Sequence, residues 1–201
     1  MVETFAIIAA IFAAIQIAAL VALHVLPTGY DPVRDAVSDY GVGPYRSWFW
    51  LQAVAGGVAC LALAIALSRL HPFTPTQVVG ALIVTAVARF LIPFFATDQG
   101  GSRFQTAHGT VHMVLAVLAF GGLVWAASGL WSTLKHYPGW SGLHGFLTTV
   151  SWLMLVSVIA VVVAIRAPRM KRHFGLYERA FYVLSLAWLL AVAINLARLS
   201  R

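Results

Sequence analysis

Charge is what this sequence has least of. Asp, Glu, Lys and Arg together make up 9% of its 201 residues, against roughly 25% in ordinary globular domains. With 61% of residues hydrophobic, the balance excludes a soluble domain and describes a membrane protein. Cysteine is nearly missing too. The single Cys60 lies inside an apolar run, which excludes an intramolecular disulfide and argues against a thiolate metal cluster. Acids number six against 13 basic residues, a net charge of +7. No basic run is interleaved with exposed aromatics, so nucleic acid is not an expected partner. Basic residues flanking apolar runs are instead the ordinary topology signal. No nucleophile elbow, phosphate-binding glycine loop or cysteine site is present. No Lys or Arg precedes the first apolar run, so the charged start of a signal peptide is missing. That run is expected to stay as a span.

What the chain does have is apolar length. A spanning helix needs about 20 largely apolar residues, and six stretches qualify: 4–26, 47–68, 76–96, 109–133, 145–166 and 179–199. Breakers separate them, among them Pro27 and Gly29, Pro72 and Pro75, Gly100 and Gly101, Pro138 and Gly139, Pro168 and Gly175. The fold class expected is all-α, one domain over 1–201 built as a bundle of six transmembrane helices. Small residues at helical spacing (Ala9, Ala10, Ala13, Ala14; Ala53, Ala55, Gly56, Gly57, Ala59) predict close helix contact, since small faces let backbones approach in lipid.

Alternating spans put 27–46, 97–108 and 167–178 on one face, called B, and both termini with 69–75 and 134–144 on the other, called A. Five of the six acids (Asp31, Asp35, Asp39, Asp98, Glu178) fall on face B, as do His24, His108, His112 and His173. Face A holds Glu3, Arg69, His71, Lys135, His136, Arg198 and Arg201. Basic residues including Arg103, Arg166, Arg169, Lys171 and Arg172 favour face B in the cytoplasm. The chain is expected as a multi-pass protein of the cell (inner) membrane.

Polar residues are so few that their placing is informative. The stretch 97–112 separates two long apolar runs and carries an acid, a base and two histidines. His108 and His112, four apart, share one helix face, a spacing that lets two imidazoles reach one metal. With Asp98 folded back across Gly100–Gly101, and His24 arriving at the same face, they form a candidate Zn²⁺ shell. The alternative is that both histidines hydrogen-bond neighbouring carbonyls or carboxylates. In Asp31-Pro-Val-Arg34-Asp35-Ala-Val-Ser38-Asp39-Tyr40-Gly41, a short helix capped by Asp31, with Pro32 in its first turn, would line three carboxylates beside Arg34. The alternative here is a solvated interfacial helix.

Arg89 is the hardest residue to dismiss. It lies seven residues before Ala96, on the order of 10 Å below face B, where a charge costs several kcal/mol unless paired or hydrated. Pro93 lacks the N–H that would bond the Arg89 carbonyl. Together they predict a polar cavity open to face B, against snorkelling of Arg89 or a structural pair with Asp39 or Asp98. Glu178 and Arg179 are placed at the start of the sixth span, the acid complementing the helix N-terminus and Arg179 free to turn inward. Gln16, Gln52 and Asn195 are expected as interhelical glue.

The order of an apolar span, Val37-Ser-Asp-Tyr-Gly41, Phe95-Ala-Thr-Asp98, His108-Gly-x-x-His112 and Gly175-Leu-x-Glu-Arg179 resembles a six-span membrane family known as domain of unknown function 998. The resemblance covers nearly the whole chain and implies six helices with a polar site at one face; it implies no activity. The site's composition, not its fold, is also similar to the ceramidase and adiponectin-receptor hydrolases, which surround an intramembrane zinc with His, Asp and Ser. The chain departs from them in having six spans and in placing its HxxxH at the start of the fourth.

Three functions follow as expectations. The first is a metal-assisted hydrolase of a lipid amide or ester. Zn²⁺ on His108, His112 and either His24 or Asp98 would activate water, Asp39 or Asp35 with Ser38 would be the catalytic residues, and Arg34, Arg89 or Arg179 would hold the substrate's anion. The second is a lipid or small-anion binding or transport protein with the same arginines and no metal. The third is a structural subunit whose polar face docks a partner. Membrane lipids are the expected surroundings, and oligomeric state is open.

Overall fold

The computed structural model describes residues 1–70, 75–99, 104–134, 137 and 139–200. His71, Pro72, Gly100, Gly101, Arg103, Lys135, His136, Pro138 and Arg201, singled out above, lie outside them. Among the described residues the chain is all-helical, without strands. The helices are α1 (Val2–Val25), α2 (Arg46–Ser68), α3 (Thr76–Leu91), α4 (Ala107–Leu134), α5 (His144–Arg166), the single turn α6 (Pro168–Lys171) and α7 (Phe174–Leu199). Six of the seven are long and apolar enough to cross a membrane, α3 doing so with the 3₁₀ turn Ile92–Phe94 that continues it.

Chain chemistry sets most of the boundaries. Leu26 leaves α1 in an extended conformation just before Pro27, which disfavours the helical region for its predecessor. Ala167 does the same before Pro168, which then opens α6 at a position where its missing N–H is no loss. Pro93 falls within the 3₁₀ turn that finishes α3. The chain therefore tightens at Pro93 and leaves the helix at Phe95, rather than kinking in mid-span.

The spanning helices close into a ring in the order α1, α2, α3, α4, α5, α7 and back to α1, with α2 and α7 also touching across it. The α1–α2 seam is the most extensive, and both helices bury small residues: Ala6, Ala9 and Ala13 of α1, and Ala53, Ala55, Gly56 and Ala59 of α2. Ala14 instead faces outward. The α4–α5 seam is the sparsest in the ring. Trp188, Phe181 and Tyr40 are the largest fully enclosed side chains.

Two expected elements differ. The Asp31–Gly41 stretch is not one helix: a single turn at Asp31–Asp35 gives way to extended Ala36 and then the 3₁₀ turn Val37–Gly41. Carboxylates capture local N–H groups and break the run. Asp31 Oδ1 accepts from Val33 N–H and Asp35 Oδ2 from Asp31 N–H, each at 2.8 Å. Asp39 Oδ2 accepts from Ala36 N–H, also at 2.8 Å. Short acidic side chains compete with helix in this way. Secondly, α7 begins at Phe174, five residues before the expected start, so Glu178 and Arg179 stand one turn inside it.

Candidate functional site

The loop Asp31–Gly41 meets the start of α7 at face B, and Gln99, after Thr97 and Asp98, donates to the Tyr30 hydroxyl beside it at 2.8 Å. Gly175 and Leu176 donate their N–H groups to the carbonyls of Arg34 and Val33, pinning α7 to the first loop. Buried Glu178 accepts the N–H of Val37 through Oε2 at 2.7 Å. The second loop is held by Asp98, which caps α4: Oδ2 accepts from the N–H groups of Gln105 (2.7 Å) and Thr106 (3.2 Å), and Oδ1 from the Thr106 hydroxyl (2.7 Å). Thr106 in turn accepts the N–H of Gly109 at 3.0 Å. Gly109 has no side chain because a Cβ there would run into the Asp98 carboxylate.

His112, buried on α4, donates through Nδ1 to the Phe95 carbonyl at 2.8 Å. This is the carbonyl-bonded alternative foreseen for it. His108, one turn earlier, is exposed, with its ring 5.7 Å from that of Phe95. Both histidines border a recess of about 260 Å³ shared with Ser38, Arg46, Trp50 and Thr97.

Below it lies a second recess of about 120 Å³, lined mainly by apolar side chains of α4, α5 and α7. Arg89, Gln52, Ser38, His112, Glu178 and Tyr182 supply its polar groups. Val117 and Val162, on α4 and α5, also line it and are more than half exposed on the outside of the bundle. The recess therefore opens sideways, through the sparse α4–α5 seam. Ser38 and His112 border both recesses.

Arg89 is 4% exposed. Its guanidinium lies over the Tyr182 ring, 5.6 Å from the centroid, and neither Nε nor Nη2 has a hydrogen-bond partner. Gln16 Oε1 is likewise without one. Both approach α2 at Gly56, where a Cβ would stand 2.5 Å from Arg89 Nε and 2.6 Å from Gln16 Oε1. Glycine is thus what admits the arginine between α2 and α3. Gln16 reaches Gln52 across the α1–α2 seam at 3.4 Å, and Asn195 donates to the Gly139 carbonyl at 3.2 Å, the gluing roles expected of them.

Arg179 points elsewhere. Nε donates to His24 Nε2 (2.7 Å), Nη1 to the carbonyls of Asp35 (2.7 Å) and Gly175 (3.1 Å), and Nη2 to the Tyr40 hydroxyl (3.0 Å). His24 donates its other nitrogen to the Leu20 carbonyl at 2.6 Å. Both ring nitrogens of His24 are thereby engaged, away from His108 and His112. Arg34 is exposed and pairs with Asp35 at 3.0 Å. Partial burial pushes the Asp35 carboxyl up, but Arg34, the Asp31 N–H and Arg179 together hold it below the usual carboxylate range. Burial raises the Tyr30 phenol, as does Asp39 beside it.

Of the predicted site residues, Arg89, Ser38 and His112 thus share the membrane recess, and His108 joins Ser38 and His112 in the upper one. Asp39 and Asp98, both buried, line neither, and Arg34, Asp35, Arg179 and His24 form a separate cluster. Among the described residues, no three His, Cys, Asp or Glu side chains come together as a metal site. Glu178, Tyr182, Gln52 and Gly56 were not predicted as site residues. The spacing of Glu178 and Tyr182, four apart on α7, was the available signal.

The family described as Protein of unknown function (DUF998) matches residues 7–195, a range that takes in part or all of every spanning helix. No curated protein and no solved structure matches the chain.

Proposed function

We propose, for a chain that belongs to the DUF998 family and takes no activity from that membership, that it binds an amphiphile carrying an anionic group. The anion rests on Arg89, and the apolar part leaves through the α4–α5 seam into the bilayer. One observation carries this reading: a buried guanidinium with Nε and Nη2 unpartnered, facing a recess that opens toward lipid. A guanidinium offers five donors in a fork suited to carboxylate or phosphate, and buried donors left unmade are costly. An anion arriving from the bilayer supplies the missing acceptors. Ser38, His112 and Gln52 add hydrogen-bonding groups in the same recess.

The metal-assisted hydrolase would need His108, His112 and either His24 or Asp98 around one ion. The His24 nitrogens are engaged by Leu20 and Arg179 and the Asp98 oxygens cap α4, so the geometry lends more support to the anion-binding reading. We take face B as cytoplasmic, on the basic residues Arg166, Arg169, Lys171 and Arg172.

The test is native mass spectrometry of the purified protein with oleate, oleyl phosphate and oleyl alcohol. The two anions are expected to be retained and the alcohol lost, and Arg89→Gln to retain markedly less of both anions. Equal retention of the alcohol, or anion binding unchanged in Arg89→Gln, would overturn the reading.

A further inference from the structure

A third recess, of about 570 Å³, runs along the outside of the bundle between α1 and α7 and shares only Tyr182 with the Arg89 recess. Ile17, Leu20, Val21, Val183, Leu186 and Leu190 make its apolar walls, and His24 and Arg179 close its face-B end. We infer that this groove docks an anionic phospholipid, with an acyl chain along the groove and the phosphate on Arg179. The inference is independent of the Arg89 recess, which Arg179 does not line.

Charge complementarity selects the occupant. Arg179 is held by a histidine, two carbonyls and a phenol, all neutral acceptors, so its positive charge is fixed in place without being neutralised. It makes no ion pair among the described residues. The nearby carboxylate of Asp35 is taken by Arg34 and by the Asp31 N–H. Four of the five guanidinium N–H groups are used, leaving one on Nη2. Arg169, Lys171 and Arg172, exposed just before α7, add positive charge on the same face. A fixed positive charge closing the headgroup end of an apolar groove, on a basic face, suits a lipid phosphate, whereas a zwitterionic headgroup carries its own compensating cation.

The experiment uses the full chain in phosphatidylcholine nanodiscs, with and without phosphatidylglycerol, followed by extraction and native mass spectrometry. The parent protein is expected to retain phosphatidylglycerol over phosphatidylcholine by about tenfold, the scale of one charge-assisted hydrogen bond. Ala187→Phe, which fills the groove from α7 without touching the arginine, is expected to abolish that preference. Arg179→Gln is expected to do the same, and Ala187→Phe keeps the test open should that variant fail to fold. Arg89→Gln is expected to leave the preference intact, which separates this site from the other recess. Equal retention of the two lipids, or a preference that survives Ala187→Phe, would overturn the inference. So would its loss in Arg89→Gln, or thermal stabilisation by inorganic phosphate equal to that by phosphatidylglycerol.

Discussion

Replacing Arg89 by methionine tests whether the guanidinium serves the fold or a ligand. Methionine keeps much of the apolar stem and removes the charge and its donors. An unmade buried donor costs about 1–3 kcal/mol, so the unpartnered Nε and Nη2 together burden the empty protein by about 2–6 kcal/mol. Losing the contact with Tyr182 gives back about 0.5–2 kcal/mol. Water entering through the α4–α5 seam relieves part of the burden, which favours the low end. The ligand-free variant should therefore be as stable as the parent or more so, by about 1–4 kcal/mol, the range found when buried charges are exchanged for apolar side chains. At about 2–4 °C per kcal/mol for a chain of this length, a thermal scan in neutral detergent should show a rise of several degrees or no change. Oleate should then raise the melting point of the parent, by the equivalent of about 2.7 kcal/mol at a hundredfold excess over Kd, and raise that of the variant by clearly less. A melting point that collapses in Arg89→Met, and recovers when Glu178→Gln, the acid of the same recess, is added, would refute the reasoning and make Arg89 a structural tie.

Three further outcomes follow from the geometry of the loops. Asp98→Ala removes the acceptor of two N–H groups and a hydroxyl at the head of α4 and should cost about 1–2 kcal/mol, as lost caps do. Gly109→Ala, which drives a methyl group into the same carboxylate, should destabilise in the parent and less so on top of Asp98→Ala, in a double-mutant cycle read by thermal scan. Asp35 sets an acid limb. Its carboxyl is held below the usual range, so its stabilisation is present above ordinary carboxylate titration, near pH 4, and is lost as pH falls through the lowered folded value. Melting points of the parent and Asp35→Asn should differ at neutral pH and converge on acidification.

The spans were legible because lipid imposes length and composition, and every expected stretch became a helix with ends shifted by a few residues. Arg89 was legible for the same reason, since a charge inside an apolar run stands out whatever it contacts. What the sequence concealed was direction. Glu178 and Arg179 are adjacent, yet the first lines the recess of Arg89 and the second the groove beside α1, because neighbouring residues on a helix point about 100° apart. The acids at 31, 35 and 39 suggested a stripe by spacing alone. Their side chains instead captured nearby N–H groups, a local competition that periodicity does not register. Gly56 read as one more small residue for helix contact, when its bare backbone is what makes room for Arg89.

The burial of Arg89 also bears on how the protein is made. The span it occupies, Thr76–Phe94, is the shortest of the six at 19 residues and has the lowest mean hydropathy, 1.9. An arginine at the centre of a nascent helix opposes release into the bilayer by about 2.5–3.5 kcal/mol, and by less toward an end. A segment so burdened gains by leaving the insertion machinery with a companion. Its seam with α2 exists before α4 is synthesised, and Gly56 on that seam already offers the arginine a place away from lipid. The second and third spans are therefore expected to enter the membrane as a hairpin, with the Arg89 side chain sheltered from lipid from the start.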